Sequence, residues 1–154
     1  MEEIQVRIVT LEPLRAICLN GFGSEPEMQA WNKLVAWAQA HGLWQDGQPR
    51  RFFGYNNPSP SAGSPNYGYD TWLVVGPEVQ PDGEARLIEF PGGLYAVTRC
   101  QGVENIAATW HRMVGWLEQS PYRHGSHQWL EEHLSTPELT GGDFILDLYL
   151  PLSE

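Results

Sequence analysis

The chain has 154 residues and is poor in cysteine and in basic side chains. Its 2 cysteines, Cys18 and Cys100, lie in apolar strand-like runs, a setting typical of buried thiols rather than of a disulfide framework. Only 9 Lys and Arg stand against 19 Asp and Glu, and the net charge of −10 would repel a phosphate backbone. We therefore expect a protein of a reducing compartment that does not bind nucleic acid directly.

Other features are missing as well. The sequence has no apolar run of the roughly 20 residues that a membrane span needs, and residues 1–5 do not form a basic leader. No glycine-rich loop follows a strand and opens a helix, as a phosphate-binding loop does. His124, His127, His133 and Cys100 lack the paired spacing of a zinc site. We expect a cytoplasmic protein without membrane association, metal or cofactor.

The sequence does contain an internal repeat. The segment Trp31–Trp37, with tryptophan at both ends, returns 79 residues later as Trp110–Trp116. Two copies of a half-buried unit have to join, and the groove where they meet is a natural ligand site. The repeat predicts a single domain, 1–154, made of pseudo-repeats of about 1–80 and 81–154.

Hydrophobic periodicity predicts the same order of elements in each half. Apolar residues at helical spacing predict helices at 27–40 and 105–119, with Ser24 as a capping residue of the first. Short apolar runs predict strands at 6–10, 15–19, 51–56, 69–75, 86–90, 94–100, 128–134 and 144–150. The expected fold class is α+β, a tandem duplication of a strand-helix-strand-strand unit. Its antiparallel sheet would carry two main helices on one face and a ligand groove on the other.

Alternation along the strands predicts which side chains face the groove. In the last strand, Phe144, Leu146, Leu148 and Leu150 share an apolar face that should cover the helices. Tyr149 then lies on the opposite face. Asp70–Leu73 matches Asp147–Leu150 in the repeat, so Trp72 should lie on that face too, like Tyr149.

The same test applied to residues 128–134 assigns Leu130 and Leu134 to the helix side. Trp129, Glu131 and His133 then face the groove, and the repeat partner of Glu131 is Phe52. A carboxylate among aromatic walls suits a flat, apolar, positively charged molecule, because aromatic faces and a buried acid both favour a cation. The alternative is that Glu131 is a solvated edge residue and the aromatic side chains are ordinary core.

Several segments, in order and spacing, resemble the GyrI-like small-molecule-binding domain, which also forms the effector-binding part of AraC- and MerR-type multidrug regulators. The matching segments are Arg15–Gly21, the Trp31 helix, Phe53–Pro58, Tyr69–Asp70, Gly102–Leu117, Trp129–His133 and Leu148–Leu152. The resemblance implies that Glu131 occupies the family's glutamate position, whereas His133 stands where tyrosine is usual. No segment matches the regulators' DNA-binding domain.

The function predicted from these features is that of a stand-alone binder of amphipathic or cationic drugs or toxins, acting in sensing, sequestration or resistance. Its predicted ligand contacts are Glu131, Trp72, Trp129, Tyr149, His133, Phe52 and Asp70. One alternative is a hydrolase of reactive natural-product electrophiles in which Glu131 positions a water molecule. Another is a protein partner, either as an inhibitor of DNA gyrase or as the partner of a transcription regulator.

Overall fold

The computed structural model describes residues 4–44, 50–56, 66–102, 105–134 and 145–153. These ranges contain two helices and nine strands, which gives an α+β fold with antiparallel pairing in each unit described below. The helices are α1 (Pro26–Ala40) and α2 (Ile106–Gln119). The strands are β1 (Arg7–Leu11), β2 (Leu14–Gly23), β3 (Phe52–Asn56), β4 (Tyr67–Val74), β5 (Arg86–Phe90), β6 (Gly93–Gln101), β7 (Arg123–His124), β8 (Leu130–His133) and β9 (Ile145–Ser153).

The chain forms two compact units. One comprises residues 14–90, and the other comprises residues 1–13 together with 91–154. The two units differ from the two predicted sequence repeats in one respect, which is where the first strand of each repeat belongs. Strand β1 pairs with β6, and β5 pairs with β2, so each of these strands completes the sheet of the other sequence half.

The unit of residues 14–90 has the strand order β3-β4-β2-β5, with α1 on one face of the sheet. Leu34 of α1 is completely buried against Ile17 of β2 and Leu73 of β4. Burial of one such leucine side chain contributes about 2 kcal/mol. Helix α1 approaches β2 closely at Gly21, because a Cβ there would lie 2.7 Å from the backbone nitrogen of Ala30.

The unit that contains residues 91–154 has the strand order β1-β6-β9-β8, and β7 pairs with the end of β9. Leu146, Leu148 and Leu150 of β9 pack in one core with Met113 and Leu117 of α2. This arrangement confirms the predicted helix-covered face of the last strand for these three leucines. Phe144, the fourth residue assigned to that face, lies outside the described residues.

The ends of several elements differ from the sequence-based expectation. Glu25, not Ser24, is the N-cap of α1, and Pro26 occupies the first helical turn. A proline suits that position because its missing N–H would have no partner within the helix. The strand expected at 128–134 forms only at Leu130–His133, and the short β7 was not expected.

Candidate functional site

The strand register shows which side chains of β8 and β9 share a face. Leu130 lies opposite Tyr149, and Glu132 lies opposite Asp147. Directly opposed residues of an antiparallel pair project to the same side of the sheet. Leu146 and Leu148 pack with α2, so Tyr149 and its cross-strand neighbours lie on the face of this unit that α2 does not cover. We call this the open face of the unit.

Glu132 is a carboxylate on this open face. It is 8% exposed, and its Oε1 accepts a hydrogen bond of 2.7 Å from the hydroxyl of Tyr149, which is 4% exposed. The ring of Tyr95 meets that of Tyr149 edge-on, with the centroids 5.4 Å apart. A carboxylate in such apolar surroundings loses much of its hydration, so a neighbouring cation would stabilise it.

Tyr95 is a structural support of this cluster. Its hydroxyl donates a hydrogen bond to the backbone oxygen of Gln128, in the segment that leads into β8. Burial, and secondarily the charge of a Tyr149 phenolate, raise the pKa of Tyr95 well above its ordinary value. Tyr95 therefore stays protonated and keeps its donor role at neutral pH.

Asp147, beside Glu132 on the same face, is neutralised by two arginines. Arg99 Nε and Arg7 Nη2 donate to its two carboxylate oxygens at 2.7 and 2.9 Å. Asp70 on β4 of the other unit has similar partners, since Asn20 Nδ2 lies 2.6 Å and Arg86 Nη2 3.2 Å from its oxygens. Asp70 is 1% exposed, and the structure holds this predicted ligand contact within an ion pair.

The open face of the unit of residues 14–90, turned away from α1, is aromatic. Trp72 lies on it, as predicted, and is surrounded by Phe53, Tyr55 and Phe90 at centroid distances of 6.4, 5.3 and 5.5 Å. Burial is the main cause that raises the pKa of Tyr55, and the charge of Asp70 adds to it. The face therefore presents neutral rings at physiological pH.

Cys18 lies on the same face, opposite both Trp72 and Arg86 in the strand register. Arg86 Nη2 is 3.3 Å from its sulfur. Burial nevertheless raises the pKa of Cys18 to about 12, with the charge of Asp70 as the second cause. Because the thiolate is the nucleophilic form of cysteine, Cys18 is an inert thiol at neutral pH.

The predicted groove position of Glu131 is wrong. Glu131 lies opposite Leu148, which packs with α2, and its Oε2 accepts a hydrogen bond of 3.3 Å from Trp110 Nε1 of that helix. Trp129 lies on this helix-covered side too, with its ring 5.2 Å from that of Trp110. The carboxylate on the open face is that of the next residue, Glu132.

His133 and Phe52 were also predicted to face the groove, and the strand register places both on the helix-covered side instead. His133 lies opposite Leu146, and burial lowers the pKa of its imidazole to about 3. Phe52 contacts Trp31 of α1 and Trp44, at centroid distances of 6.1 and 5.8 Å. Both residues are therefore part of the helix-covered packing.

The physical cause of these errors is that β8 has buried side chains on both of its faces. Leu130 is fully buried on the open face, and Glu132 beside it is nearly so. In such a strand a leucine can lie on either face. Because Leu130 was assigned to the helix side, the side chains next to it were assigned to the wrong faces as well. Within the repeat, Glu132 corresponds to Phe53 as Glu131 corresponds to Phe52. The sequence therefore shows which residues of the two repeats correspond, but it does not show which face of the strand each residue occupies.

Two further observations concern membrane-spanning helices and metal sites among the described residues. Neither α1 nor α2 is long and apolar enough to cross a membrane. In the described ranges, no group of three or more His, Cys, Asp or Glu side chains is arranged to hold a metal ion.

The comparisons with known proteins agree with one another. A family model described as the GyrI-like small molecule binding domain matches residues 4–153. The chain is 28% identical over 158 residues to a DNA gyrase inhibitor from Edwardsiella piscicida, an alignment that covers 97% of both proteins.

Solved structures extend the likeness at the level of the fold. A hydrolase from Listeria innocua matches 98% of this chain and 93% of its own, with a TM-score of 0.65 and 12% identity. The C-terminal domain of EcmrR matches 98% of both chains, with a TM-score of 0.68 and 11% identity. At these identities the structural likeness shows a shared fold and leaves activity to be argued from the site.

Proposed function

Because the chain belongs to the family of GyrI-like small molecule binding domains, we propose that it binds amphipathic or cationic small molecules on its open faces. Glu132 is the charged contact in this proposal, and it replaces Glu131. Tyr149 and Trp72 remain as aromatic contacts from the original set. The biological role would be sensing, sequestration or resistance.

The observation that carries this proposal is the carboxylate of Glu132, which is nearly buried beside aromatic rings. An acid in that setting is poorly hydrated, and a delocalised organic cation could compensate its charge at a small cost in its own hydration. The rings of Tyr149 and Tyr95 add electron-rich faces to the same cluster. In the unit of residues 14–90, the aromatic cluster around Trp72 is by itself a surface that suits an apolar ligand.

Titration with tetraphenylphosphonium, followed by tryptophan fluorescence and calorimetry, tests this proposal. We expect Glu132→Gln to weaken binding at least tenfold, which corresponds to about 1.4 kcal/mol. The glutamine oxygen still accepts the hydrogen bond from Tyr149, so the variant removes charge and preserves shape. Glu131→Gln is the matched control, because its side chain lies on the helix-covered side, and it should bind as the unchanged chain does.

Equal affinity in the Glu132→Gln variant, with a native circular dichroism spectrum, would show that this acid does not select the ligand. A larger loss in Glu131→Gln than in Glu132→Gln would return the site to the position first predicted. Both results contradict the proposed role of Glu132.

The 2.7 Å contact between Tyr149 and Glu132 favours a second candidate function, hydrolysis of a reactive electrophile. The carboxylate could take a proton from water as the water oxygen attacks, while the Tyr149 hydroxyl turns from Glu132 and protonates the leaving atom. The proton on Glu132 would then return to the phenolate across the same contact. The structural neighbour described as a hydrolase motivates the test. Incubation of a strained-ring alkylating agent in ¹⁸O-labelled water should give labelled product with the unchanged chain and none with Glu132→Gln. Unlabelled substrate recovered in full would rule out this activity.

The name of the Edwardsiella piscicida relative motivates a test of gyrase as a partner. The proposal predicts that the purified chain inhibits supercoiling of relaxed plasmid by DNA gyrase in proportion to its concentration. Supercoiling that continues unchanged at a large molar excess of the chain would exclude direct inhibition. The same experiment in the presence of tetraphenylphosphonium would show whether ligand and gyrase compete.

A further inference from the structure

A shallow depression of about 610 Å³, open to solvent and here called the cavity, lies over the segment that joins β7 to β8. It is lined by His124, Gly125, Ser126, His127, Gln128 and Trp129. An overlapping hollow of about 320 Å³ extends it to Leu94, Leu152 and Ser153. None of these residues is a ligand contact in the proposed function. Trp129 belongs to the set predicted from the sequence, and the structure places it on the helix-covered side.

The polar rim of this cavity is held in place by defined contacts. His127 Nε2 lies 2.8 Å from the backbone oxygen of Leu94, and the imidazole meets the ring of Tyr95 edge-on at 4.8 Å. Gly125 is required for this geometry, because a Cβ there would lie 2.7 Å from both His127 Cε1 and the backbone oxygen of Leu152. The segment is thus a built turn, closely packed beneath its exposed side.

Two side chains at the rim offer hydrogen-bond acceptors. The carbonyl of Leu94 can only accept, so Nε2 of His127 carries the proton and Nδ1 of the neutral ring is an acceptor. Gln128 Nε2 donates to the backbone oxygen of Trp129 at 3.0 Å, and its Oε1 is the acceptor end of that side chain. A ligand with several N–H donors would suit this arrangement.

The wall of the cavity is an aromatic row. The half-buried ring of Trp129 has two tilted neighbours, His124 and Trp110, at centroid distances of 5.0 and 5.2 Å. The indole nitrogen of Trp110 donates to Glu131, so a carboxylate lies directly behind this wall. Indole faces attract cations, and a nearby negative charge strengthens that attraction.

We propose that this cavity is a second binding site, specific for a small planar cation with N–H donors, of the amidinium or guanidinium class. The ligand stacks on Trp129 and donates to Nδ1 of His127 and Oε1 of Gln128. A tetraorganyl cation, which has no N–H group, lacks the means to use these acceptors. The site adjoins the cluster of Glu132 and Tyr149, because His127 and Gln128 both contact Tyr95. It uses none of the ligand contacts of the proposed function, so its existence does not depend on that function.

Benzamidine, with benzamide as its neutral counterpart, is the probe that tests this site. Titration at about pH 8, where imidazole side chains are neutral, avoids competition from protonated histidine. In ¹H–¹⁵N spectra we expect the indole signals of Trp129 and Trp110 to shift with benzamidine and to stay in place with benzamide. Gln128→Leu should weaken benzamidine binding at least threefold, whereas the exposed Gln80→Leu should leave it unchanged.

Gly125→Ala provides an independent variant, because the added methyl group forces the turn to move and should reduce the affinity further. Its indole spectrum reports directly whether the variant is folded. The proposal is overturned if benzamidine at about 10 mM, which would detect even a weak millimolar complex, leaves both indole signals unmoved. Shifts of equal size with benzamide, or equal affinity in Gln128→Leu, would also overturn it.

Discussion

Glu131 and Glu132 are consecutive carboxylates in opposite surroundings. The first accepts a hydrogen bond from an indole of α2, and the second accepts one from the phenol of Tyr149 on the open face. Because successive side chains of a strand project to opposite sides, one residue of register decides which acid is available to a ligand. The contrast also makes the two glutamates a natural pair for separating charge effects from structural effects.

The imidazole of His133 leads to a prediction about stability in acid. It is 7% exposed, and burial lowers its pKa to about 3 in the folded chain. The unfolded chain binds a proton at this residue below the ordinary histidine pKa of about 6.5, whereas the folded chain does not. Between these two values, His133 should lower the free energy of unfolding by about 1.4 kcal/mol for each pH unit of acidification.

Urea denaturation between about pH 4.5 and pH 6.5 checks this expectation. The difference in free energy of unfolding between the unchanged chain and His133→Asn should decrease as the pH falls, because asparagine does not titrate. The absolute stability of the variant is not the readout, so a general destabilisation does not obscure the result. A constant difference across this range would contradict a depressed pKa at His133.

At the scale of elements, strands β1 and β5 carry corresponding ion pairs. Arg7 of β1 binds Asp147 in one unit, and Arg86 of β5 binds Asp70 in the other. The two arginines are separated by the same 79 residues as the tryptophan segments. A duplicated unit predicts that corresponding strands form the same kind of ion pair. In each unit the arginine neutralises the buried aspartate without a ligand.

Helix α2 offers a prediction about glycine. Gly115 lies within α2, and a Cβ built there meets no atom within 4 Å among the described residues. Because glycine loses more backbone entropy on folding than alanine, Gly115→Ala should raise the free energy of unfolding by about 0.5–1 kcal/mol. Chemical denaturation of the two proteins measures this difference.

Gly21→Ala is the contrasting substitution. Its Cβ would lie 2.7 Å from the backbone nitrogen of Ala30 and 2.8 Å from Gln29 Cβ, so α1 would have to move away from β2. Overpacking of this kind costs about 1–3 kcal/mol. A Gly21→Ala variant that is as stable as the unchanged chain, or more stable, would contradict the close approach of α1 to β2 at Gly21.

For the molecule as a whole, the dominant electrostatic feature is the net charge of −10. It concentrates cations near the surface, and salt screens this long-range attraction. We expect tetraphenylphosphonium to bind about two- to fivefold more weakly at about 0.5 M than at about 0.02 M sodium chloride. Calorimetric titration at both concentrations measures the change.

Triphenylphosphine oxide, which is neutral and similar in shape, is the control for this salt effect. Its affinity should stay constant or rise slightly, because salt does not weaken apolar contacts. An equal loss for the neutral compound would mean that salt alters the protein itself rather than the attraction of a cation.

Much of the fold was predictable because the apolar patterns are long or strongly biased. Both helices were predicted to within one residue at each end, from tryptophan, leucine and alanine at helical spacing. Strand β9 has four alternate leucines, at positions 146, 148, 150 and 152, so its faces were assigned correctly. Strand β8 has four residues and has buried side chains on both of its faces, and such a strand has no alternation that distinguishes its faces.

The amino-acid sequence by itself determined the α+β class, the positions of the helices, the excess of acid and the placement of Trp72 and Tyr149 on open faces. These properties depend on local periodicity and on composition, which are written along the chain. Only the tertiary structure decided that Glu132 rather than Glu131 meets Tyr149, and that β1 and β5 each complete the other half's sheet. Such choices depend on strand register between distant segments, and the free-energy differences that set register come from packing across the sheet.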